Sequence, residues 1–346
     1  MVHPLFAPNF LSTLHERVLL DVRSPGEYAQ GHIPGAVCFP LFTDEERAKV
    51  GTLYKQVSAE AALLKGLEIT GPKLADFVRQ AARLAPHRKL AVHCLRGGQR
   101  SGSMAILLRT AGFNVVTLSG GYKTYRHLVL ESFRDIQPAF VVLGGRTGSG
   151  KSKVLRALQS LGEQIIDLEA LAHHKGSSFG SIGEQPQPTV EQFENDLHQA
   201  MQHLDATRPV WVENESRSIG RVYIPEDFWK HMKAGTLVNI EIPVEARLQN
   251  LIEDYAHCDT AVIQAAFERI GKRLGGQALI EALDAVEAGD AATAAGIALR
   301  YYDKTYQHCL DNNPTPRIHT LKFNTGEPVV IAEACKNLLY NQIDFR

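Results

Sequence analysis

Cysteine is sparse in this chain and scattered where it occurs. Cys38, Cys94, Cys258, Cys309 and Cys335 form no C-x-x-C pair and no metal-ligand spacing, which excludes a disulfide framework and a zinc site. Long apolar runs are absent: none approaches the roughly 18 residues of a membrane-spanning helix. The opening MVHPLFAPNFLSTLHERV lacks the basic start, apolar centre and small-residue cleavage site of a secretory leader, so a cytoplasmic location and no membrane partner are expected. A dominant charge is also lacking, with 37 Lys+Arg against 38 Asp+Glu and a formal net charge of −1. That balance hides an asymmetry: residues 1–138 hold 17 basic against 11 acidic side chains, and residues 139–346 hold 20 against 27. The basic first part suits an anionic partner, although a whole-domain charge speaks to association rather than to a site. Internal repeats and low-complexity tracts are missing, which excludes solenoids and disordered tails.

What remains is an ordinary globular composition, 44% hydrophobic and 22% charged, on 346 residues, enough for two domains. Short apolar runs alternate with segments of helical periodicity, the pattern of α/β folds with parallel sheets. Strands are expected at 17–22, 36–39, 89–94 and 114–119, then at 139–145, 164–168, 209–214, 237–242 and 318–323. DIQPAF separates the two series and sets domains of 1–137 and 138–346, the second with an Ala-rich helical segment at about 245–311.

The stretch AVHCLRGGQRSGSMA (91–105) places one cysteine after an apolar run and packs glycines and arginines behind it. A buried cysteine is often simple core, as Cys38 in its apolar segment is expected to be. Core packing does not explain the arginines. With a strand at 89–93 and a helix from Ser101, the loop from Cys94 to Arg100 lies at a helix N-terminus, whose field favours an anionic sulfur. Cys94 is therefore the expected nucleophile, and Arg96, Gly97, Gly98 and Arg100 form an anion-binding loop around it. His93 is expected on the opposite face of the strand. The spacing C-x5-R also occurs in cysteine phosphatases, for which Asp44, Glu45 and Glu46 are the nearest general acids in sequence.

GGRTGSGKS (144–152) contains G-x-x-x-x-G-K-S after the apolar FVVL and before a helical segment, the context a phosphate loop requires. Gly145, Arg146, Thr147, Gly148, Ser149, Gly150, Lys151 and Ser152 are expected to bind a diphosphate: backbone N–H groups cradle it, Lys151 neutralises it, and the Ser152 hydroxyl suits Mg²⁺. Glu213 and Glu215 in PVWVENES follow a strand, and are read either as the acidic element of such a site or as helix-capping and solvated residues. Arg269, Lys272 and Arg273 have helical i, i+3, i+4 spacing, as do Arg300 and Lys304; with Arg217 and Arg221, which also suit diphosphate or salt-bridge roles, they are tRNA-contact or solvated-face residues.

LLDVRSPGEYAQGHIPGAVCFP (19–40) and LSGGY (118–122) resemble the signature segments of rhodanese domains. The resemblance implies a parallel sheet with helices on both faces, Cys94 as the carrier of sulfur or selenium, and structural roles for Asp21, His32 and Gly35. With the phosphate loop and the segments DEERAKVGTLYKQVS, DLEALAHHKGSSFGSIG and ENESRSIGRVYIP, nearly the whole chain resembles bacterial tRNA 2-selenouridine synthases. That likeness implies tRNA with 2-thiouridine at the wobble position as partner, S-geranylation from geranyl diphosphate, then selenation with selenophosphate, and no tightly bound cofactor. A cysteine phosphatase or a sulfurtransferase fused to a nucleotide-binding domain is the alternative. No sequence pattern locates a pocket for the geranyl chain.

Overall fold

The computed structural model describes residues 4–255, 257–312 and 317–342; the side chain of Cys309 lies outside the described residues. The chain divides into two compact units, Met1–Ser132 and Phe133–Arg346. The first is built on a four-stranded sheet in the order β2-β1-β3-β4, from β1 (Val18–Asp21), β2 (Val37–Cys38), β3 (Lys89–His93) and β4 (Asn114–Thr117), all parallel. A parallel sheet is covered on both faces, so its strands read as near-continuous apolar runs rather than alternating ones. Leu20, Leu90 and Val92 meet Phe77 from the helix Leu74–Leu84 and Met104 and Leu108 from the helix Gln99–Thr110 in one core. The run 36–39 supplies only the two-residue β2: Ala36 N is taken by the turn carbonyl of Ile33, while Phe39 N still bonds to Asp21 O of β1.

At the end of β1 the sequence buries two opposite charges. Arg23 Nη2 reaches Asp21 Oδ2 at 2.6 Å and donates to the Gly31 carbonyl at 2.6 Å, while its guanidinium lies 3.8 Å above the Tyr122 ring. Both residues are within 2% of full burial. His32 stacks on Tyr28, and Gly35 takes a φ of +79°, which a side chain would resist.

The second unit holds a five-stranded parallel sheet in the order β11-β10-β5-β7-β6, from β5 (Phe140–Gly145), β6 (Gln164–Ile166), β7 (Val210–Glu213), β10 (Thr236–Glu241) and β11 (Ile318–Lys322). The P-loop strand β5 is central, and its Val141 and Leu143 pack with Trp211, Val154 and Leu339. A hairpin of β8 (Ser218–Ile219) and β9 (Val222–Tyr223) was not expected from sequence; its signal is the Gly220-Arg221 pair between two apolar residues, on strands too short for periodicity. The helical part comprises Val244–Tyr255, Thr260–Leu274, Gly276–Glu287 and Ala291–Asn312 and has its own core around Phe267, Ile270 and Ala282. Among the described residues no helix is long and apolar enough to cross a membrane.

Asp21→Ala leaves the Arg23 guanidinium buried without its carboxylate, and is expected to destabilise the first unit by about 3–5 kcal/mol in urea unfolding. Adding Arg23→Met restores most of that loss. Wild-type stability for the single variant would show that the pair does not hold the end of β1.

Candidate functional site

The nucleophile loop begins where β3 ends. The helix behind it starts at Gln99, not Ser101, because Gly102 N already bonds to Gly98 O at 3.0 Å; Gln99 and Arg100 therefore belong to the first helical turn, and the loop is Cys94–Gly98. Cys94 is 3% exposed, with Sγ 3.2 Å from Ser101 Oγ. Since Ser101 lies in the first turn, the sulfur sits at the helix N-terminus, where N–H groups lack intrahelical acceptors. The LSGGY segment clamps the loop from behind: Tyr122 N donates to Cys94 O at 2.8 Å and Lys123 N to Leu95 O at 2.9 Å. Gly121, at φ +62°, permits this approach, since a Cβ there would stand 2.3 Å from Cys94 O and 2.4 Å from Gly97 N.

Arg96 is exposed on the loop beside Gly97 and Gly98. Arg100 turns to Glu27, with Nη1 to Oε2 at 2.6 Å and Nη2 to Oε1 at 3.2 Å. Burial opposes the charge of each partner, but the pairing outweighs it: Glu27 is held below the usual carboxylate range and Arg100 above its own. His93 is fully buried, its Nε2 3.7 Å from Asp21 Oδ2; burial pushes its pKa down to about 4, leaving a neutral ring at pH 7. The carboxylates Asp44, Glu45 and Glu46 form the first turn of the helix Asp44–Gln56, where Asp44 accepts from Gly26 N at 3.0 Å and Glu46 pairs with Lys73 at 2.6 Å.

In the second unit β5 runs through Gly144 and Gly145 into the loop, and the helix Lys151–Ser160 begins directly after Gly150. Gly148 has φ +79°, and a Cβ there would press to 2.8 Å from Arg247 O. Sequence reasoning missed the residues that brace this loop. Arg247 Nε donates to Thr147 O at 2.9 Å and Asn250 Nδ2 to Gly148 O at 2.9 Å. Arg247 is itself held by Asp303 at 2.6 Å, and Arg146 reaches the same carboxylate at 3.7 Å. The available signal was the i, i+3 spacing of Arg247 and Asn250 on one helix face. The Ser149 hydroxyl, although buried, meets no hydrogen-bond partner among the described residues.

Lys151 is surrounded by acid. Burial disfavours its charge, but Glu169, Glu215, Tyr306 and Glu213 outweigh that effect and raise its pKa. Ser152 Oγ donates to Glu169 Oε2. Glu213, the last residue of β7, accepts from Leu168 N at 3.0 Å and is fully buried. Burial, then the neighbouring Asp167 and Glu169, push the Glu213 carboxyl well above the usual carboxylate range; burial and Glu169 push Glu215 up to about 8 despite Lys151. Asp167 and Glu169 were also missed, though they follow β6 much as Glu213 ends β7 and Glu215 follows it. The remaining basic residues have local partners or face solvent. Arg217 pairs with Glu226 at 2.6 Å, Arg221 N bonds to the Gln187 side chain, and Arg269 donates to Ser178 O at 2.9 Å. Lys272, Arg273, Arg300 and Lys304 are exposed.

Comparison with known proteins assigns both units. Residues 9–128 match the rhodanese-like domain, and residues 138–325 match the tRNA 2-selenouridine synthase AAA domain. Among curated relatives, the tRNA 2-selenouridine synthase of Nitrosomonas europaea is 36% identical over 250 residues, covering 68% of this chain and 63% of that one. The synthase of a Sulfurovum strain is 38% identical, covering 76% of this chain and 77% of its own. That of Shewanella piezotolerans is 35% identical over 331 residues, covering 85% and 88%.

The raised carboxyl of Glu215 makes stability depend on pH. Between its ordinary value and about 8 the folded protein holds a proton that the unfolded chain releases, so stability is fully present below pH 4.5 and is lost as pH rises through 8. Glu215→Gln is expected to flatten this decline in urea midpoints measured from pH 5 to 9. An unchanged slope would locate the titration elsewhere.

Proposed function

Because the chain belongs to the tRNA 2-selenouridine synthase family, we propose that it converts 2-thiouridine at the wobble position of tRNA into 2-selenouridine, through S-geranylation from geranyl diphosphate and then selenation with selenophosphate. The observation that carries this reading is a phosphate loop whose Lys151 is kept charged by a neighbouring acidic cluster led by Glu169, on the same chain as a cysteine seated at a helix N-terminus. Sulfur on the base is a poor leaving group. In the first step the C1–O bond of geranyl diphosphate breaks, a C–S bond forms, and the thiouridine loses its N3 proton. Charge grows on the departing diphosphate, where Lys151 and the N–H groups of Gly145–Ser152 stabilise it. Glu215, titrating near pH 8 beside Lys151, is the acid or base for that proton. In the second step the selenium of selenophosphate forms the C–Se bond as the C–S bond breaks and the alkylated sulfur leaves as geranylthiol; the P–Se bond then breaks, and the phosphoryl group passes by way of Cys94 to water and leaves as phosphate.

Cys94 serves the selenium step. Its thiolate, stabilised by the first-turn N–H groups of the helix, attacks phosphorus, so that the P–Se bond breaks as an S–P bond forms and water then releases phosphate from the sulfur, while Arg96 meets the selenophosphate oxygens. Arg100 acts with one edge of its guanidinium held by Glu27, which orients it. The all-oxygen pair of Ser152 and Glu169 suits Mg²⁺, whose charge when bound would add to that of Lys151 on the diphosphate. The cytoplasm, where tRNA is present and Cys94 stays reduced, is the compartment this chemistry requires. tRNA binding is assigned to Arg269, Lys272 and Arg273 with the basic first unit.

The two steps separate by mutation. Lys151→Ala is expected to slow geranylation by about 10²–10³ and to retain selenation of tRNA supplied already geranylated. Cys94→Ser is expected to show the reverse, as mass analysis of tRNA nucleosides reads out. A strict ATP requirement, or equal loss of both steps in each variant, contradicts the division. Phosphate release from an aryl phosphate that depends on Cys94 and not on tRNA would establish the phosphatase instead.

A further inference from the structure

The helical part of the second unit encloses an apolar cavity of about 190 Å³ that no motif predicts. Its walls include Leu251, Tyr302 and Ser177 at one end and Phe267, Val286 and Ala294 elsewhere. Two independent contacts place the first end at the phosphate loop. Leu251 Cγ lies 3.3 Å from the point where a Cβ on Gly148 would stand. The residue before Ser177 is Gly176, whose Cβ would meet Glu215 Oε2 at 2.8 Å. Tyr302, whose hydroxyl accepts from Ser178 N at 3.0 Å, neighbours Asp303, the partner of Arg247.

The other end is lined by Val286, Ala294 and the exposed Gly289 and Ala291. Ala294 precedes Asp303 by nine residues on the helix Ala291–Asn312, about 13 Å at 1.5 Å per residue. We infer that this cavity is the seat of the geranyl chain, with its head end at the phosphate loop and its tail end at Val286 and Ala294. The inference rests on the reading of the phosphate loop as the diphosphate site. Size agrees with it. An extended chain advances about 1.2 Å per bond, so the seven-bond backbone of a geranyl group reaches about 8 Å, inside the available depth. Apolar cavities of about 150 Å³ accept a six-carbon guest, so on that scale 190 Å³ holds about eight carbons, with the first carbons of a ten-carbon chain left at the head end beside the diphosphate. Chemistry agrees as well: the wall is aliphatic and aromatic beside a site for a doubly charged leaving group, which is the polarity of an allylic diphosphate. Small side chains at Ala291, Ala294, Ala295 and Ala298 keep the space open along one helix face.

The test measures binding to the full chain of inorganic diphosphate and of dimethylallyl, geranyl and farnesyl diphosphates. Wild type is expected to bind geranyl diphosphate at least about tenfold more tightly than inorganic diphosphate. Ala294→Phe, which fills the tail end, is expected to abolish that advantage and favour the five-carbon dimethylallyl compound, with affinity for inorganic diphosphate unchanged. Val286→Ala, which enlarges the same end, is expected to shift preference toward farnesyl diphosphate. If Ala294→Phe does not fold, shown by loss of inorganic diphosphate binding, Val286→Ala alone decides. Unchanged chain-length preference in the folded variants overturns the inference, as does ATP binding that Ala294→Phe weakens, which would assign the cavity to a nucleotide base. Geranyl diphosphate binding with these shifts but no geranyl group reaching tRNA would overturn the proposed function and leave the cavity assignment standing.

Discussion

Both sites depend on one construction, a parallel strand that delivers its last residue to a glycine-rich turn and a following helix. In each case the turn exposes N–H groups that the helix cannot use, and these attract negative charge. The first unit joins Lys89–His93 to Gln99–Thr110 and seats a sulfur there; the second joins Phe140–Gly145 to Lys151–Ser160 and offers a diphosphate cradle. What differs is the supporting chemistry. Around Cys94 the backbone of Gly121–Lys123 clamps the loop. Around the phosphate loop the clamp is made of side chains, Arg247 and Asn250, on a helix that also forms the wall of the apolar cavity.

The electrostatics of the second site explain why so much acid surrounds a loop meant for an anion. A buried ammonium without partners would lose its proton; the acidic cluster, Glu169 foremost, prevents that for Lys151. The carboxylates cannot all ionise so close together: burial with repulsion from Asp167 and Glu169 raises the Glu213 carboxyl well above the usual range, and burial with repulsion from Glu169 raises Glu215 to about 8. The cluster thus carries less negative charge than its residue count indicates, and a diphosphate meets a region set by Lys151 and the backbone. The same proton sharing supplies a group that titrates close to physiological pH.

Much of this was legible in the amino-acid sequence. Continuous apolar runs before Cys94 and before GGRTGSGKS mark buried parallel strands, and each is followed by glycine and helical periodicity. The residues that could not be read act across long separations. Arg247, Asp303 and Leu251 lie about a hundred residues or more beyond the loop they brace, with no motif of their own, and the cavity is a property of four packed helices rather than of any segment. The arginines of the first loop were legible as residues but not as partners: Arg100 is paired with Glu27, which lies in the PGEY segment and reads locally only as a capping residue.

The account holds that alkylation of the base sulfur precedes selenium entry on one polypeptide. The most direct measurement is a time course of nucleosides from 2-thiouridine tRNA incubated with the wild-type chain, geranyl diphosphate and selenophosphate together. The account predicts that S-geranyl-2-thiouridine rises first and then decays as 2-selenouridine accumulates. Formation of 2-selenouridine at the same rate when geranyl diphosphate is omitted would contradict it.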